Sequence, residues 1–84
     1  MSATAPIHDD EIALKDQLMG AIETAARERG LNKTQAAAFL GVKQPEFSYL
    51  VNRHFNRLSL SKLLAWAGKF DINYRLTFEV LPSQ

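Results

Sequence analysis

The chain contains no cysteine. Disulfides, thiolate nucleophiles and cysteine-based zinc sites are therefore excluded, and the lack fits a reducing compartment, so a cytoplasmic location is expected. Histidine is almost as scarce: His8 and His54 stand alone, too isolated for a metal site, and no metal or cofactor is expected. No apolar run approaches the roughly 20 residues that a membrane-spanning helix requires, and the opening MSATAPIH has neither a basic start nor an apolar block, so no secretory signal is expected. Internal repeats, low-complexity tracts and dividing linkers are also missing. The carboxylates gather near the N-terminus without a histidine, serine or glycine-rich partner arranged for acid-base or nucleophilic work, so no enzyme is expected.

What is present is an ordinary globular composition, 46% hydrophobic and 23% charged, in 84 residues. That length makes one domain whose core gives only modest stability, and a partner chain would help it. The net charge is only +1, yet its distribution is uneven. Residues 1–28 hold six acids against Lys15 and Arg27, a balance of −4; residues 29–69 hold seven bases against Glu46 alone, a balance of +6; residues 70–84 return to −1. A basic middle segment suits a phosphate backbone, whose condensed counterions are released when cations approach.

Residues 1–8 read as a flexible leader, and residues 9–84 as a single domain. From about Asp9 to Arg29, Leu14, Leu18, Ala21, Ile22 and Ala25 recur at helical spacing, with acids in the first turn and Arg27, Arg29 and Gly30 closing the last. Asn32 followed by Gln35 has the form of a capping box, opening a short helix that ends at Leu40. Gly41 suits the left-handed turn after it, and Pro45 suits the first turn of a third helix over 44–52. Ser59 caps a fourth, with Leu60, Leu63, Leu64, Ala67 and Phe70 on one side. Phe39 and Trp66 sit off the centres of their apolar stripes, as core edges or as parts of a protein-binding patch. The period then changes to two. Ile72, Tyr74, Leu76, Phe78 and Val80 alternate with polar residues, which predicts a β-strand over 72–80, stopped by Pro82.

The stretch LNKTQAAAFLGVKQPEFSYL, residues 31–50, breaks one helix only to begin another. Ala37 permits a close crossing, Gly41 makes the turn, and Ala36, Leu40, Val42, Phe47 and Leu50 hold the pair at a fixed angle. Lys33, Thr34, Lys43, Gln44, Glu46, Ser48 and Tyr49 are left pointing outward. An α-helix fits the DNA major groove, where Gln bonds adenine, Lys donates to guanine and Glu accepts from cytosine. Lys43, Gln44, Glu46 and Ser48 are thus the candidate base-reading residues. Glu46 has a second use open to it, pairing with Lys43 or Arg53. Lys33, Thr34, Tyr49, Asn52, Arg53 and Arg57 are the candidate phosphate contacts.

LNKTQAAAFLGVKQPEFSYLVNR resembles the Xre/Cro-type helix-turn-helix, and its continuation through RLSLSKLLAWAGKFDINYRLTF is similar to the compact subgroup that includes HigA-like antitoxins. The resemblance covers roughly residues 9–80. Its most specific parts are Ala37, Gly41, Phe47 and Leu50, with Leu58-Ser59-Leu60 opening the next helix. It implies a mostly α fold of four helices, a recognition helix beginning near Gln44, and a regulator that controls its own toxin-antitoxin operon. Two positions depart from the pattern: Lys33 stands where a glutamine is usual, and Arg53 where a glycine often ends the recognition helix.

A lone strand leaves its backbone donors and acceptors without partners. Two antiparallel copies related by a two-fold axis solve this, with Ile72, Tyr74, Leu76, Phe78 and Val80 as the homodimer interface. With recognition helices about 34 Å apart, such a dimer spans a palindromic operator in double-stranded DNA. The acidic N-terminal region supports a different expectation, a protein-interaction module that binds a basic toxin or another protein without reading DNA.

Overall fold

The structure is a computed structural model that describes residues 5–77 together with residues 80 and 82. It consists of four helices, α1 (Ala5–Glu28), α2 (Lys33–Leu40), α3 (Gln44–Val51) and α4 (Leu60–Lys69). Among the described residues no helix is long and apolar enough to cross a membrane.

Helix α1 starts four residues before Asp9, with Pro6 in its first turn and no acid there. The expected acidic first turn is therefore corrected: the first N–H groups of a helix have no intrahelical acceptor, so a proline is tolerated and the helix extends back through it. The expected leader is shortened accordingly. Residues 5–8 belong to α1, and residues 1–4 lie outside the described residues. At α2 the capping box forms as expected: Gln35 N donates to Asn32 Oδ1 at 2.8 Å, and Asn32 N donates to Gln35 Oε1 at 2.9 Å. Pro45 stands in the first turn of α3, and the Ser59 hydroxyl accepts from Lys62 N at the start of α4.

All four helices end in the same way. A residue with positive φ follows the helix, and the next N–H reaches back five residues to an orphan carbonyl: Leu31 to Ala26, Val42 to Ala37, His54 to Tyr49 and Ile72 to Ala67. Glycine supplies the left-handed backbone at Gly30 (φ 72°) and Gly41 (φ 76°), whereas Arg53 (φ 56°) and Asp71 (φ 57°) adopt it without that freedom. Arg53 thus takes a left-handed backbone of the kind that favours glycine. Leu31, Val42 and Ile72, the residues after three of these turns, fold back onto the core.

The core joins Leu18, Met19, Ile22 and Ala26 of α1 to Ala36, Ala37 and Leu40 of α2, Phe47 and Leu50 of α3, and Leu63, Trp66 and Ala67 of α4. Trp66 is fully inside, its ring stacked 6.4 Å from that of Phe47. Phe39 is not: it stays 41% exposed, stacked 4.7 Å from Phe70 beneath the Arg29 guanidinium. Lys15 is only 8% exposed, and its ammonium donates to the Phe55 carbonyl at 2.8 Å, tying the α3–α4 loop to α1.

No strand occurs among the described residues. Residues 72–77 pass along α1, where Ile72 through Leu76 and Leu14, Gln17, Leu18 and Ala21 line a groove of about 210 Å³. A strand exists by virtue of its ladder, and a single chain with one alternating segment offers nothing to pair with. Tyr74 and Leu76 are each 51% exposed and Val80 is 78% exposed, while Phe78 lies outside the described residues.

Candidate functional site

Helix α3 presents one face to solvent because its other face is consumed by the core. At about 100° per residue, the buried Phe47 and Leu50 set the inward direction, and Pro45, Ser48, Tyr49 and Asn52 fall opposite, with Gln44 and Glu46 on the two flanks. Lys43, Gln44 and Asn52 are exposed; Ser48, Tyr49 and Glu46 are half-buried. Lys33 and Thr34 are exposed at the start of α2. The close α2–α3 pair holds these groups in a fixed relation: Ala37 is buried in the contact, and the Gly41 turn sets the angle.

Glu46 is paired with neither Lys43 nor Arg53. Its carboxylate takes Lys62 Nζ of α4 at 3.0 Å, because its flank of α3 faces the start of that helix and not its own N-terminus. Arg53 is also turned away from the expected phosphate set. Its Nε donates to Asp16 at 2.9 Å, and one terminal nitrogen lies 3.1 Å from Glu23 and donates to the Leu50 and Val51 carbonyls. Its guanidinium therefore closes the C-terminus of α3 and locks it to α1, with four acceptors in reach of a five-donor fork. Asp16, Gly20 and Glu23 share the face of α1 that the guanidinium crosses, and a Cβ on Gly20 would meet Arg53 Nη2 at an ordinary 3.7 Å.

Arg57 does face outward, its guanidinium 5.3 Å from the Tyr49 ring centroid, and the Tyr49 ring meets His54 edge-on at 5.8 Å. This small stacked group flanks the C-terminal end of the α3 stripe. The acidic face of α1 is partly neutralised within the fold, since Asp16 and Glu23 serve Arg53 and Glu11 lies 3.5 Å from Lys15. Reasoning from sequence missed Lys15, Lys62 and these two acids as positioning residues. Each pairs with an atom at least sixteen residues away, so no local spacing signals it.

Among the described residues no cluster of three or more His, Asp or Glu side chains is placed to hold a metal ion. The chemistry on offer is an amide, a hydroxyl, a phenol and cations on a rigid helix face, which suits hydrogen-bonded recognition of base edges and phosphates. A family model described as a helix-turn-helix domain matches residues 6–77. No curated protein and no solved structure matches the chain.

Proposed function

The chain belongs to this helix-turn-helix domain family, and from that premise we propose that it is a sequence-specific, non-enzymatic transcriptional regulator that inserts α3 into the major groove. The observation that carries the proposal is the outward stripe of α3, opposite Phe47 and Leu50 and flanked by Lys33, Lys43 and Arg57. In this reading Lys43, Gln44 and Ser48 address bases, while Lys33, Thr34, Tyr49, Asn52 and Arg57 address phosphates and sugars. Glu46 reads a base only if it leaves Lys62, and Arg53 acts by positioning α3.

The finer identity is an Xre/Cro-type regulator of the HigA-like antitoxin subgroup, cytoplasmic and autoregulating an operon it shares with a basic toxin. The support is the match of LNKTQAAAFLGVKQPEFSYL and the Leu58-Ser59-Leu60 helix start to that pattern. A homodimer paired through residues 72–80 goes with it, and the exposure of Tyr74, Leu76 and Val80 favours a protein partner on that segment. The same exposure favours the alternative of an adaptor that binds a toxin without reading DNA.

A gel-shift titration over salt, using the DNA upstream of its own gene, separates the two. Retardation that survives competitor DNA supports the regulator; absence of retardation at low salt overturns it and leaves the adaptor.

A further inference from the structure

We propose that Arg27, in the last turn of α1, is a phosphate-binding residue that grips the DNA backbone together with Lys33; this deepens the DNA-binding reading and rests on it. The basis is how the chain's ten lysines and arginines are used. Lys15, Arg29, Arg53 and Lys62 stand in ion pairs with Glu11, Asp71, the Asp16–Glu23 pair and Glu46. Lys69 donates to the Leu40 carbonyl. These five serve the fold. Arg27 is exposed, and the group it meets is a neutral one, the Thr24 hydroxyl at 3.3 Å.

Arg27 and Lys33 line one cleft of about 320 Å³, bounded by α1, the start of α2, and Phe47 and Val51 of α3. The acid in its lining, Glu23, is held by Arg53 at 3.1 Å, and among the described residues neither Arg27 nor Lys33 stands in an ion pair. Val51 lies two helical turns beyond Gln44, so the cleft opens along the Gln44 flank of α3. A strand whose bases are read by Gln44 carries its backbone past that flank. A guanidinium takes a phosphate through two parallel hydrogen bonds and an ammonium takes it as a point charge, so the pair supplies both modes at one place.

The experiment is a salt series of binding to the upstream DNA and to random DNA, followed by fluorescence anisotropy, for the intact protein and for Arg27→Ala, Arg27→Lys and Lys33→Ala. Arg27→Ala is expected to weaken binding to both DNAs alike and to flatten the slope of log K against log salt by about one unit, as Lys33→Ala does. Arg27→Lys keeps the slope. An unchanged slope in Arg27→Ala, with Lys33→Ala flattened, overturns this inference alone. An intact protein that binds neither DNA overturns the DNA-binding reading as well.

Discussion

Lys62 Nζ lies 3.0 Å from Glu46 Oε1, so the first turn of α4 holds a carboxylate of α3 off the solvent face. Both side chains are partly exposed, and such pairs contribute at most about 1 kcal/mol to stability. Their larger effect is on where a negative charge sits relative to DNA phosphates. Lys62→Ala is expected to lower thermal stability only slightly but to weaken DNA binding several-fold. Glu46→Gln introduced into the same chain is expected to restore most of that loss. Anisotropy titrations of the single and double variants check it, and a double variant as weak as Lys62→Ala would mean that Lys62 touches DNA itself.

Arg53 carries an opposed pair of effects. Its left-handed backbone costs about 1–2 kcal/mol in a residue with a Cβ, while its guanidinium serves Asp16, Glu23 and two carbonyls at the end of α3. Arg53→Ala keeps the strain and loses the contacts, so a loss of about 2–3 kcal/mol is expected. Arg53→Gly loses the same contacts but relieves the strain and is expected to fall between Ala and the unmodified chain. Urea unfolding ranks the three, and an Ala variant as stable as the Gly variant would contradict the strain.

Substitution by alanine is expected to have opposite signs at Gly20 and Gly41. At Gly20, inside α1, a new Cβ meets Arg53 Nη2 at 3.7 Å, an ordinary contact, so Gly20→Ala is expected to stabilise by about 0.5–1 kcal/mol. At Gly41, φ of 76° disfavours any side chain, and Gly41→Ala is expected to destabilise by about 1 kcal/mol. Calorimetry reads both as opposite shifts in Tm, each of a few degrees for a domain of this size.

Gln44 is the exposed amide at the N-terminal end of α3. Gln44→Ala is expected to narrow the difference in affinity between operator and random DNA by about 1–3 kcal/mol with the fold intact. Competition titrations with circular dichroism on the same samples test it; undiminished discrimination would move base reading to another face.

The segment after Asp71 leaves Tyr74, Leu76 and Val80 exposed. Light scattering at tens of micromolar is expected to show a dimer for the intact chain and a monomer for a chain ending at Asp71. A truncated chain that still dimerises would remove this segment from assembly.

The features legible in the sequence are those whose physics is local. Asn32 with Gln35, Ser59, Gly30 and Gly41 act within one turn of the chain, and each stands where its residue type predicts. The outward set of α3 follows from the period of Phe47 and Leu50 alone. What escaped depends on distant partners. Arg53 and Asp71 end helices as glycine would, and nothing nearby in sequence marks a non-glycine residue for that backbone. Nothing near Lys15 in sequence marks it for burial, since the carbonyl it donates to is forty residues away. The alternation over 72–80 was clear as a pattern, but pairing belongs to a second strand, and the described residues of one chain contain none.

Lys15 on the Phe55 carbonyl and Arg53 on Asp16 and Glu23 suspend α3 and the loop after it from α1. The tilt of α3 is thus inherited from a helix that carries none of the proposed base-reading groups. Residues 44–51 transplanted into a relative would carry their side chains but not their aim, and the transplant would need Lys15, Asp16, Glu23 and Arg53 to arrive with it. By the same logic, selection for altered target preference would return substitutions in α1 as readily as in α3.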